Sequence, residues 1–138
     1  MTRELLPQLR SSSNGHVIVI GSAAGVEAYE GSSGYNAAKF GAHTITQSLR
    51  LELLGEDVRI LEVLPGLTKT EFSLVRFDGD EEKAEAPYRG VEPLSAEDVA
   101  ECVRWAVTLP LHVNVDRIDI KPIHQAKALL VHRDTDDA

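Results

Sequence analysis

The sequence predicts an α/β fold: three parallel strands with flanking helices, forming part of a doubly wound sheet. Three observations predict it. The runs "HVIVIG" (16–21), "VRILEVLPG" (58–66) and the alternating "VNVDRIDIKP" (113–122) read as strands. Stretches with apolar residues at spacings of three and four lie between them. Strands that alternate with helices imply right-handed crossovers, and hence parallel pairing.

Residues 3–10 carry the last turns of a helix, and "SSSNG" at 11–15 is a turn. The "VIVI" run is β-branched throughout and reads as a strand buried on both faces. Residues 22–34 form a Gly-, Ser- and Ala-rich loop. A helix is predicted over 33–54, with Ala38, Ala42, Ile45, Leu49 and Leu53 on its buried stripe and Gly55 as its stop. Phe40, Leu51 and Leu54 fall off that stripe, so the helix is expected to pack against a second partner as well.

The second strand ends at Pro65-Gly66. Residues 67–93 lack clear periodicity and are mostly acidic, with room for one short helix; a loop of this length is a functional lid or a disordered segment, and 71–93 is read as a substrate lid. Ser95 and Asp98 fit a capping box opening a helix to about Leu109, with Val99, Cys102, Val103 and Ala106 inward and Pro110 as its end. The third strand follows, and the tail 125–138 is expected to fray. Three parallel strands make a thin sheet, and "VIVI" reads as central yet has no upstream strand to pair with. Residues 1–138 are therefore expected to be a single partial domain, the second half of a larger α/β unit.

The 138 residues fit one domain, and 43% hydrophobic with 26% charged residues places it among globular proteins. A net charge of −8 argues against a nucleic-acid groove and against an anionic membrane surface. The single cysteine, Cys102, makes no internal disulfide, which points to the cytoplasm. No apolar run approaches the roughly 20 residues of a bilayer span. "MTRELLPQLR" is too short and too charged for a signal peptide.

The chemistry concentrates at "GYNAAKFGA". Tyr35 and Lys39 lie four residues apart, on one face of a helix. An ammonium beside a phenol favours its ionised form, which suits a general acid/base. Ser22 follows the first strand, where parallel sheets bind their ligands, and a hydroxyl there can hold a substrate oxygen. The bland alternative is a packed ring and a solvated amine. Against it stands the coincidence of a Ser at a strand end, a Gly/Ser loop, a Tyr–Lys pair at a helix start, and Pro65-Gly66 at the next strand end.

"GSAAG" (21–25), "YNAAK" (35–39) and "PGLTKT" (65–70) together resemble the successive motifs of the short-chain dehydrogenase/reductases. "PGLTKTEFSLVRFDGDEEKAE" and "LPLHVNVDRIDIKPIHQ" resemble the branch acting on serine and 3-hydroxy acids with NADP. The resemblance implies a partial Rossmann-like fold lacking its N-terminal nucleotide-binding half. It implies Tyr35 as catalytic acid/base, Lys39 as the group that holds the nicotinamide ribose, and Ser22 as the residue that positions the substrate oxygen. Pro65, Gly66, Leu67, Thr68 and Thr70 would line the nicotinamide. Hydride would pass between a small hydroxy acid or alcohol and NADP(H), favoured over NAD(H). Arg76 is a candidate for a substrate carboxylate, with a surface role equally open. The helix over 33–54 would serve a homo-oligomer.

Departures matter too. The glycine-rich phosphate loop and the family's asparagine are expected upstream of Met1. Glu27 stands where a third glycine would be needed, so "GSAAGVE" is no dinucleotide fingerprint. Thr68 replaces an aliphatic residue. Cofactor binding by this chain is therefore expected to be weak. His16, His43, His112, His124 and His132 show no metal-ligand spacing, and no metal site is expected. Trp105 reads as packing, and "DGDEE" as a solvated acidic stretch. Two functional readings remain: an oxidoreductase, or a truncated non-catalytic remnant acting by association with full-length relatives.

Overall fold

The computed structural model describes residues 2–134. Helix α1 (Thr2–Ser11) leads into strand β1 (Gly15–Ile20), a 3-10 turn (Ala23–Gly25) and helix α2 (Ser33–Glu52). Strand β2 (Val58–Pro65) follows, then short helices α3 (Phe72–Arg76) and α4 (Glu81–Glu85), a second 3-10 turn (Ala86–Tyr88), helix α5 (Ala96–Val107) and strand β3 (Arg117–Ile120). The sheet order is β1-β2-β3, all parallel, with Gly15 opposite Val58 and Glu62 opposite Arg117.

Strand β2 is the spine because period-two alternation lets it feed two cores. Leu61 and Val63 pack with Val99, Val103 and Ala106 of α5 and with Ile118 and Ile120 of β3. Val58 and Ile60 join Leu49 of α2, Leu53 just past its end, and Leu6 and Leu9 of α1. Helices thus cover both faces, which makes this part of a doubly wound, Rossmann-like sheet. Each fully buried aliphatic of β2 contributes about 1.5–3 kcal/mol. Strand β1 differs from the expectation of burial on both faces. Its residues 16–19 are only half-buried and Ile20 is 51% exposed, because β2 is its one partner among the described residues.

Helix α2 departs further from its predicted stripe. The residues turned inward include Asn36, Thr46 and Leu53, with Lys39 and His43 between them. Ala38 is exposed and Ile45 is 69% exposed. Ala42 and Leu49 of the predicted stripe are half-buried and Leu53, just past the helix, is buried, so the stripe holds in part, and polar side chains with specific partners complete the inward face. Gly55, at φ 90°, ends the helical stretch as expected.

The capping box forms, with the Ser95 hydroxyl accepting from Asp98 N and the Asp98 carboxylate accepting from Ser95 N. Trp105 is 54% exposed, against the packing role expected of it. Strand β3 is shorter than predicted because Asn114 replaces its first rung. That amide side chain accepts from Ile60 N at 2.8 Å and donates to Ile60 O at 3.0 Å. The 71–93 segment holds α3, α4 and a 3-10 turn rather than one short helix. Asp80 of "DGDEE" caps α4 by accepting from Lys83 N. The tail does not fray where it is described: residues 121–134 fold back on the body, while 135–138 lie outside the described residues.

Arg59, on β2, is 8% exposed and satisfies carbonyls at the end of α5. Its guanidinium donates to Leu109 O at 3.1 Å and to Val113 O at 3.3 Å, and it reaches Asn14 Oδ1 across β1. A cation suits the negative end of a helix. Arg59→Leu leaves those carbonyls unpaired, and urea titration is expected to show a loss of about 2 kcal/mol.

Candidate functional site

The C-terminal ends of β1 and β2 open into one cavity of about 630 Å³. Its first wall is the segment from Ser22 to Lys39. Ser22 leaves β1 extended and caps the 3-10 turn, its Oγ accepting from Ala24 N at 3.1 Å. The following loop is nailed to α2 by Asn36, which is 6% exposed. Its Nδ2 donates to Ala24 O at 2.8 Å and Glu27 O at 2.9 Å, and its Oδ1 accepts from Tyr29 N and the Ser32 hydroxyl. Every backbone N–H from Ala24 to Glu27 has an acceptor within this loop.

Tyr35 and Lys39 emerge from the first turns of α2. The Lys39 ammonium donates to Gly21 O at 3.1 Å and Ile20 O at 3.4 Å, and lies 5.8 Å from the centre of the Tyr35 ring. It is thus tethered to the end of β1 rather than to the phenol oxygen. The Tyr35 ring meets Phe72 at 5.6 Å, and the Arg76 guanidinium lies 5.9 Å from its centre. Arg76 is exposed and makes no ion pair among the described residues.

The second wall is the turn after β2. Gly66 N donates to Ile120 O at 2.7 Å, Leu67 N to Gln125 Oε1 at 2.8 Å, and Lys69 N to Leu94 O at 2.8 Å. A Cβ at Gly66 would press on Gln125 Oε1 and Lys121 Cγ, so a larger residue there would have to displace the Gln125 amide from Leu67 N. Tyr88, 7% exposed, bolts the 71–93 segment to this turn: its hydroxyl meets Ser73 Oγ at 2.6 Å and donates to Thr68 O at 3.1 Å.

All nine residues singled out in the sequence line the cavity: Ser22, Tyr35, Lys39, Pro65, Gly66, Leu67, Thr68, Thr70 and Arg76. Sequence reasoning missed the residues that hold them. Asn36 had a signal, the polar spacing 32, 36, 39, 43 along α2. Gln125 had none, since nothing in the tail announces a turn anchor. His43, read as scattered, lies against Glu62, a carboxylate 2% exposed on β2 whose Oε1 lacks a hydrogen-bond partner among the described residues.

The family model described as short chain dehydrogenase matches residues 1–80. The chain belongs to this family. Relatives agree: an uncharacterized oxidoreductase of Mycobacterium tuberculosis is 49% identical over 128 residues, covering 93% of this chain and 51% of the relative. The NADP-dependent 3-hydroxy acid dehydrogenase of Escherichia coli K12 is 44% identical over 135 residues, covering 96% and 54%. Among solved structures, a closed serine dehydrogenase complexed with NADP+ matches with a TM-score of 0.88 at 44% identity, over 97% of this chain and 55% of that one. The serine dehydrogenase from Escherichia coli matches at 0.71 and 34%, over 91% and 48%. The chain spans about half the length of these short-chain dehydrogenases.

The donor set suits one end of a dinucleotide better than the other. The cation of Lys39 and the hydroxyls of Thr68 and Thr70 border the cavity and fit a nicotinamide and its ribose. The Ser22–Tyr35 loop does not fit a pyrophosphate, because its amides at 24–27 are internally spent and Glu27 adds a negative charge. No helix among the described residues is long and apolar enough to cross a membrane.

Proposed function

We propose that this chain carries the acid/base half of an NADP(H)-linked oxidoreductase that interconverts a small hydroxy acid or alcohol with its carbonyl. One observation carries the reading: Tyr35, Lys39 and Ser22 converge on the cavity that the turn 65–70 also borders. Tyr35 moves the proton on the substrate oxygen, and Ser22 positions that oxygen. Lys39, tethered at the end of β1, presents its charge to the ribose. Pro65, Gly66, Leu67, Thr68 and Thr70 hold the nicotinamide in place. A bound NADP(H) supplies the hydride chemistry. Arg76 has no carboxylate partner among the described residues, which suits it to a substrate carboxylate. The preference for NADP rests on the relatives, and the cytoplasm as its compartment rests on the single cysteine.

Tyr35→Phe tests the proposal. NADPH-dependent reduction of a 3-oxo acid, followed at 340 nm, is expected to fall about a hundredfold or more in the variant. Equal rates in the two proteins would sink it. Binding of NADPH to this chain is expected to be weak, because remote contacts to the pyrophosphate normally hold the nicotinamide in register. Micromolar affinity in a fluorescence titration would contradict that.

A second reading is supported by the C-terminal end of α2. Leu51 is 75% and Leu54, just past the helix, 77% exposed, and both border a second cavity with Thr46 and Ile60. This apolar edge suits association with a second copy or with a longer relative. Leu51→Glu is then expected to shift the sedimentation of the protein toward monomer.

A further inference from the structure

The segment that follows β3 does more than end the chain. It leaves Ile120, whose carbonyl accepts from Gly66 N, and closes on itself through Ala126 N to Leu130 O and His132 N to His124 O, both near 2.9 Å. Gln125 sits at its base, 7% exposed. One amide side chain bridges two backbones there: Oε1 accepts from Leu67 N at 2.8 Å, and Nε2 donates to Ala128 O at 3.3 Å. At the far side, Ala128 N donates to Glu27 Oε2 at 2.8 Å, and Lys121 Nζ lies 3.4 Å from Glu27 Oε1. A relay of three hydrogen bonds therefore runs from the turn after β2, through Gln125 and Ala128, to the loop between Ser22 and Tyr35. Ala128 and Leu129 complete the cavity between those walls.

We propose that residues 121–131 are a clasp that sets the spacing of the two walls of the cavity. Gln125 is the positioning residue for the Pro65–Thr68 turn, and Glu27 is the catch on the opposite wall. The proposal rests on the reading of that turn as the nicotinamide wall. It also accounts for Glu27, since the carboxylate that excludes a pyrophosphate is spent on holding the clasp. The hydrogen bond from Ala128 holds the Glu27 carboxyl below its usual range, helped by the charges of Lys121 and Lys127 that face it. The catch is therefore intact above the ordinary carboxylate range and is lost only as pH falls through the lowered value.

The test is residue-resolved amide hydrogen exchange on the full chain without dinucleotide, so a failure of NADPH binding leaves it unaffected. In Gln125→Ala, the Leu67 amide is expected to exchange at least tenfold faster, with the amides of Ile60–Val63 unchanged. In Glu27→Ala, Ala128 is expected to accelerate, and Leu67 with it. Glu27→Gln, which keeps an acceptor for Ala128 N, is expected to restore both. Acceleration of Ala128 alone in Glu27→Ala would overturn the proposal, since the walls would then be independent. If Gln125→Ala loses core protection, the Glu27→Ala and Glu27→Gln pair, which leaves Gln125 in place, decides by the same criterion.

Discussion

His43→Ala is expected to destabilise the protein by about 4 kcal/mol, read as a lower urea midpoint with an unchanged slope. The Glu62 carboxylate is 2% exposed in the middle of the sheet, and its Oε2 lies against His43 Nδ1. Its other oxygen already lacks a partner among the described residues. Removing the imidazole leaves a buried carboxylate with nothing to offset its desolvation. Removing both members has a different outcome. His43→Leu with Glu62→Leu exchanges the pair for apolar volume beside Ile60 and Leu64, and is expected to recover most of the loss. A double variant as unstable as the single would show that the pair does more than compensate itself.

His43 and Glu62 also mark where sequence reading stops. Strand β2 was legible because a short, mostly apolar stretch, interrupted only by Arg59 and Glu62 and bounded by turn residues, has few other fates. The grouping of Ser22, Tyr35, Lys39 and Pro65-Gly66 around one cavity was legible because they keep their order and their places at strand and helix ends. The orientation of α2 was legible only in part, through Ala42, Leu49 and Leu53. Its inner face is chosen by hydrogen bonds to a loop 9–12 residues upstream and by a carboxylate 19 residues downstream, while Ile45 and Leu51 point outward. Apolar periodicity reports the stripe with most hydrocarbon, which coincides with the sheet-facing side only when nothing else binds it. The tail was illegible for a related reason. Gln125 orders it by reaching a backbone amide 58 residues earlier, and no local propensity encodes such a bond.

Asn36→Ala is expected to cost about 3 kcal/mol and to loosen the wall that carries Ser22. The buried amide donates to two carbonyls and accepts from a backbone N–H and a hydroxyl; the Ser32 hydroxyl keeps Tyr29 O as a partner, so truncation strands the other three groups. Some of those groups reach water as the loop relaxes, which keeps the loss below the sum of three unpaired groups. Asn36→Asp separates hydrogen bonding from volume. It preserves the shape of the side chain, yet turns a second oxygen toward the carbonyls of Ala24 and Glu27. The aspartate is therefore expected to be at least as damaging as alanine at neutral pH, and to improve as acid protonates it and restores one donor. The same change at a site held only by packing would be nearly silent, so an isosteric variant of near wild-type stability would refute the hydrogen-bonding account. Loop exchange adds a second readout: the Tyr29 amide, which donates to Asn36 Oδ1, should lose protection in Asn36→Ala before the strand amides do.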